Sequence, residues 1–109
     1  MTHIFIDKED DYFRLVAKGH AGYAVAGEDI VCAAISALVQ TLMYHMEKIT
    51  EDYECHVKSG DVMIYGKGVQ AVRAFEVIET GLRIIAEDYP DYIFVHCEGC
   101  PRIDEENLK

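Results

Sequence analysis

Apolar and polar positions alternate twice near the start of the chain, over His3-Ile4-Phe5-Ile6 and over Tyr12-Phe13-Arg14-Leu15-Val16-Ala17, with the acidic cluster Asp7 to Asp11 between them. A period of two broken by turn residues predicts a β-hairpin. The next segment, Gly19 to Asp29, carries three glycines among small residues. It is too irregular for a strand and too rich in glycine for a stable helix, so it reads as a loop. From Ile30 the period changes: Val31, Ala34, Ile35, Leu38, Leu42, Met46 and Ile49 recur close to every 3.6 residues, and Asp29 stands where a helix N-cap belongs. A largely buried helix is predicted. Tyr53 to Lys58 and Val62 to Gly66 flank Ser59-Gly60-Asp61 as a second hairpin. A second, amphipathic helix follows from about Val69 to Glu87, weakened locally by Gly81, and Asp91 to His96 gives a fifth strand. The order is ββαββαβ. It predicts a two-layer α+β domain, a mostly antiparallel five-stranded sheet with two helices packed on it and the first helix central. One domain over residues 1–97 and an acidic C-terminal tail over 98–109 are expected.

Composition narrows what such a domain does. A chain of 109 residues buries enough surface for one core without staples. Twenty acidic residues against ten basic ones leave a formal charge of −10, which argues against nucleic acid as a partner. The same charge attracts a basic protein or peptide at long range, or serves solubility alone. Met1 to Asp7 shows no secretory pattern, so a cytoplasmic location is expected. Ser36, Gln40, Thr41 and His45 interrupt the apolar run Ile30 to Met46, which points to a core helix and away from a membrane. In a reducing compartment Cys32, Cys55, Cys97 and Cys100 are thiols, each of them core, ligand or nucleophile.

With Asp29 as N-cap, Cys32 falls in the first helical turn, where backbone N–H groups lack acceptors and the helix dipole is positive. That environment stabilises a thiolate, and the same N–H groups suit the oxyanion of a tetrahedral intermediate. A nucleophilic Cys also needs a histidine to take its proton and return it to the leaving amine. His20, twelve residues earlier at the end of a strand and the start of the flexible loop, is the candidate.

The runs Gly19-His20-Ala21-Gly22-Tyr23-Ala24 and Gly27-Glu28-Asp29-Ile30-Val31-Cys32-Ala33-Ala34-Ile35-Ser36-Ala37-Leu38 resemble the signature of the ribosomal-processing cysteine proteases, the YsxB-like family. The likeness continues more loosely through Gly81-Leu82, Ile84 to Glu87 and Tyr89-Pro90-Asp91-Tyr92, over roughly residues 2 to 95. The resemblance implies a cysteine endopeptidase with Cys32 as nucleophile and His20 as general base and acid. It also implies a homodimer and a protein substrate, a large-subunit ribosomal protein whose N-terminal extension is cut after paired aromatic residues. Phage-type relatives act on capsid or scaffold proteins, which is the alternative substrate. A non-catalytic dimeric module that grips the same peptide is the alternative from another class.

Around the pair, Asp29 either caps the helix or orients His20, and Ser36, one turn beyond Cys32, packs or lines a pocket. Gly19, Gly22 and Gly27 suggest a lid that orders over peptide. Tyr23 either stacks on substrate or anchors that loop. A second constellation, His96-Cys97-Glu98-Gly99-Cys100, offers half a zinc site, with Cys55 and His56 as the partners that would complete it. No second Cys-x-x-Cys exists, so the expectation is a tail with incidental thiols, no metal and no cofactor. Phosphate-cradling and dinucleotide motifs are absent from the sequence.

Overall fold

The two alternating runs form β1 (Thr2–Lys8) and β2 (Tyr12–Lys18), paired antiparallel with Ile4 opposite Ala17 and Ile6 opposite Leu15. The structure, a computed structural model, describes residues 1–96. Cys97, Cys100 and the acidic tail expected from residue 98 lie outside the described residues. The chain continues as α1 (Ile30–Ile49), β3 (Tyr53–Lys58), β4 (Asp61–Lys67), α2 (Val69–Asp88) and β5 (Ile93–Val95). The order ββαββαβ is as the patterning predicts.

The strands lie in the order β3-β4-β2-β1-β5. Three of the four pairings are antiparallel and the β1–β5 pairing is parallel, so the sheet is mixed. The parallel pair follows from the connection. β4 runs in the direction of β1, and a helical crossover returns the chain to the sheet in the direction it left. The fifth strand is shorter than expected. Asp91 and Tyr92 belong to the turn that closes α2, where the Tyr92 amide donates to the Tyr89 carbonyl at 3.0 Å. The ladder nevertheless extends past the strand at both ends, through Thr2 N–H to Tyr92 O and His96 N–H to Ile4 O, each 2.9 Å.

Both helices cover one face of the sheet. α1 buries Val31, Ile35, Val39, Leu42 and Met46, and α2 buries Ala71, Val72, Phe75, Ile78 and Leu82. The expected central place of the first helix is not observed: α2 lies against β2, β4 and β5, while α1 packs on α2 and approaches β3. The reason is the crossover, which must carry α2 over the middle strands to reach the far edge. α1 is long and apolar enough to cross a bilayer by length and composition, yet its Val31 to Met46 stripe is sealed into the core. Phe13 of β2 and Phe75 of α2 stack at 4.6 Å between ring centres, both fully buried. Burying side chains of this size contributes about 1.5–3 kcal/mol each. Gly81, which reads as a weak point in α2, is where the helices meet: a Cβ there would stand 2.9 Å from Leu38 Cδ1.

The opposite face of the sheet carries no second layer among the described residues. It is not polar throughout. Phe5, Val16 and Met63 stand side by side across β1, β2 and β4, and Val16 is only 3% exposed though it belongs to no part of the core between sheet and helices. At the β5 edge this face holds His3, Phe94 and His96.

Candidate active site

α1 begins where the pattern places it because Asp29 does two jobs with its two oxygens. Oδ1 accepts the Cys32 amide at 2.8 Å, closing the first turn, and Oδ2 accepts the amides of Tyr23 at 3.0 Å and Ala24 at 3.4 Å. The Cys32 hydrogen bond, then opposing desolvation, then the Ala24, Tyr23 and Val31 amides, together hold the Asp29 carboxyl below its ordinary value. Asp29 thus caps the helix and pins the glycine loop; its hydrogen bonds go to backbone amides rather than to His20. One expectation needs correcting in consequence. The Cys32 amide is not open at the helix tip but engaged by the cap, so an oxyanion forming on Cys32 would compete with Asp29 for it.

Cys32, half-buried, and His20, exposed, line the same cavity of about 510 Å³. Gly19 and Ser36 line it too, so four of the residues singled out from sequence share one space. Its apolar wall runs down α1 through Ile35, Val39 and Met43 and crosses to Val57 and Val62 on the β3–β4 hairpin. Lys58, Gly60 and Asp61 complete that hairpin side, and Thr2 adds the start of β1. The pocket is a cleft between one side of α1, the β3–β4 hairpin and the loop that follows β2, large enough for side chains of a peptide.

The hairpin contribution is invisible to motif reading. Lys18 pairs with Asp61 in the β2–β4 register, which brings the end of β2 beside the turn at Gly60. The Gly19 amide donates to the Gly60 carbonyl at 2.7 Å. Gly60 has φ +77°, a conformation side-chain-bearing residues rarely adopt. A Cβ on it would lie 3.2 Å from His20 Nε2, so the imidazole rests against the bare turn. The only sequence signal was Ser59-Gly60-Asp61 itself, which announces a turn and says nothing about its neighbour.

Gly22, Tyr23 and Gly27 are not among the cavity-lining residues. The Tyr23 ring instead meets Tyr92 edge-on at 5.1 Å and Tyr89 at 5.7 Å, which makes it the anchor of the loop in this structure. Cys55, the other described thiol, is raised above its ordinary value by burial, so it stays protonated and unreactive near neutrality. Among the described residues, no group of three or more His, Cys, Asp or Glu side chains is placed to hold a metal.

A family model for cysteine protease Prp matches residues 1–94. A ribosomal processing cysteine protease Prp of Mycoplasma genitalium is 37% identical over 87 residues, spanning 78% of this chain and 88% of that protein. Its counterpart in Mycoplasma pneumoniae is 27% identical over 84 residues, spanning 75% of this chain and 84% of that protein. Two solved structures of an essential ribosomal processing protease Prp from S. aureus share the fold. The one with a covalently linked product peptide superposes with a TM-score of 0.76 at 23% identity, over 88% of this chain and 98% of that one. The one with a substrate peptide gives 0.71 at 21% identity over the same shares.

Proposed function

Because the chain belongs to the cysteine protease Prp family and is a cysteine protease, we propose that it removes the N-terminal extension of a ribosomal protein, the twenty-seventh of the bacterial large subunit, by a Cys-His mechanism. The observation that carries this reading is the shared cleft: a cysteine in the first turn of a helix and a histidine at a strand end line one peptide-sized cavity. The curated relatives are named for ribosomal processing, which favours that substrate class over a phage capsid or scaffold protein.

In this mechanism His20 takes the Cys32 proton and the sulfur attacks the scissile carbonyl carbon. The positive end of α1 steadies the oxyanion. The carbon–nitrogen bond breaks as His20 returns the proton to the leaving amine. Water, deprotonated by His20, then cleaves the thioester and frees Cys32. The apolar wall formed by Ile35, Val39, Met43, Val57 and Val62 suits apolar or aromatic side chains on the acyl side of the cut. The chain's charge of −10 suits a basic partner.

Incubation with the extended ribosomal protein, followed by intact-mass measurement of both products, tests the proposal. A single cut is expected with the native chain and none with Cys32→Ala or His20→Ala. Processing by Cys32→Ala would remove the Cys-His mechanism, and peptide binding without cleavage by the native chain would replace the peptidase with the binding-module reading. A cytoplasmic location and a homodimer are part of the same proposal. The outward side of α1, where Ile30 and Tyr44 are 56% and 62% exposed, supports pairing with a second copy. Sedimentation equilibrium on the native chain and on Tyr44→Glu tests it, with a monomeric native chain as the contrary outcome.

A further inference from the structure

Strand β3 is an edge strand of six residues, free of proline and glycine, with β4 as its one neighbour among the described residues. Native sheet edges are usually short, bulged, interrupted by proline or covered. The opposite edge follows that rule, since β5 has three residues. β3 does not. The hairpin register fixes its alternation: the Asp52 carbonyl, just ahead of the strand, accepts the Lys67 amide at 2.9 Å, and Lys58 pairs with Asp61 across the turn. In an antiparallel ladder every second residue turns its N–H and C=O to the partner strand. Asp52, Glu54, His56 and Lys58 therefore face β4, and Tyr53, Cys55 and Val57 turn their backbone groups outward from the sheet. Side chains sort by the same parity. Val57 lines the cleft beside its cross-strand partner Val62 and Cys55 packs on the core, so Tyr53, Cys55 and Val57 lie on the helix side. On the other side His56 Nε2 stands 3.6 Å from Glu54 Oε2. Val57 and Tyr53 are 61% and 37% exposed, because α1 only approaches this strand.

We infer that the acyl-side segment of the substrate adds to this edge as a further strand, parallel to β3. The inference rests on the peptidase reading above and adds where the residues ahead of the cut lie. Val57 and Lys58 belong both to the cleft that holds Cys32 and His20 and to the end of β3, whereas Tyr53 to His56 are outside the cleft lining. The free edge therefore begins at the cleft and leads away from it. A peptide cut at Cys32, with its amino-terminal side following the apolar wall past Val57, runs in the direction of β3, from Tyr53 toward Lys58. In a parallel pairing, a substrate residue opposite Glu54 donates its N–H to the Tyr53 carbonyl and accepts the Cys55 amide. A second, opposite His56, does the same with the Cys55 carbonyl and the Val57 amide. The substrate residue between them turns its backbone groups away from β3 and its side chain to the helix side, between Tyr53 and Val57. Backbone pairing holds an extended chain of any sequence, and the apolar side chains beside it select among such chains.

A peptide spanning the cleavage site of the extended ribosomal protein is synthesised with a single backbone N-methyl group, placed in turn at each position ahead of the cut. Each version is assayed with the native chain. Methylation at two positions, two residues apart, is expected to raise KM roughly tenfold with kcat little changed, and methylation between them to leave both constants as they were. In the Cys32→Ala chain, which holds the peptide uncut, amide exchange followed by NMR is expected to slow at Cys55 and Val57 when the unmodified peptide is added. A scan without the period of two, or exchange at Cys55 and Val57 unchanged by bound peptide, would overturn the inference while cleavage itself upholds the peptidase. Absence of cleavage by the native chain would overturn the peptidase instead, and exchange at those two amides still decides whether the peptide lies on β3.

Discussion

Asp29 shows how a single carboxylate sets the start of α1 and the course of the loop before it. Its folded value lies below the ordinary one, so what it adds to stability is complete above the unfolded carboxylate value of about 3.9 and is lost as pH falls through the lower folded value. Melting curves followed by circular dichroism from pH 7 to pH 2 are expected to show that loss in the native chain. Asp29→Asn, which caps without titrating, is expected to melt with a weaker acid dependence, and Asp29→Ala to melt lower at every pH. Gly60 is the second decisive position. Gly60→Ala forces a side chain into a positive-φ conformation, at a cost of about 1–2 kcal/mol, and presses a methyl group on the His20 ring. The expected outcome is a lower kcat with a nearly unchanged KM, read from steady-state cleavage of a peptide substrate. At this scale the sequence is informative where chemistry is local: a cap three residues ahead of a cysteine is readable from the string. The contact of Gly60 with His20 is not, because it depends on the pairing of β2 with β4 across more than forty intervening residues.

The elements follow the hydrophobic periods closely because each period reports which face meets the core. α1 starts at Ile30 and the two hairpins lie where alternation and turn residues put them. What periodicity cannot convey is which helix takes the middle of the sheet, since both bury a stripe of similar width; the crossover decides it. Nor does it separate a weakening glycine from one that permits close approach. At Gly81 the nearest atom to an added Cβ is the mobile end of Leu38. Gly81→Ala is therefore expected to hold or raise stability, since the gain in helix propensity of about 1 kcal/mol exceeds the cost of shifting the two methyl groups at the end of Leu38. Gly81→Leu is expected to lose about 1–3 kcal/mol by prising the helices apart. Urea unfolding of the two variants beside the native chain checks both. The truncated β5 has a different cause: the turn after α2, closed by local hydrogen bonds from the Tyr92 and Ile93 amides to the Tyr89 carbonyl, takes Asp91 and Tyr92, which alternation alone assigns to the strand.

For the whole molecule, a charge of −10 on a 109-residue chain makes encounter with a basic substrate dependent on ionic strength. kcat/KM for the extended ribosomal protein is expected to fall several-fold between low and high salt. A short neutral peptide with the same cleavage sequence is expected to show little change. Equal salt dependence for both would remove steering as the explanation.

The first residue of the chain has a bearing on how the protein is handled. The Met1 carbonyl sits 2.6 Å from where a Cβ on Gly19 would be, one residue before His20, and Thr2 lines the cleft. A purification handle fused ahead of Met1 would leave the sheet at the mouth of that cleft. Activity measured on such a fusion would reflect the appended peptide as well as the enzyme, so kinetic work calls for removal of the handle.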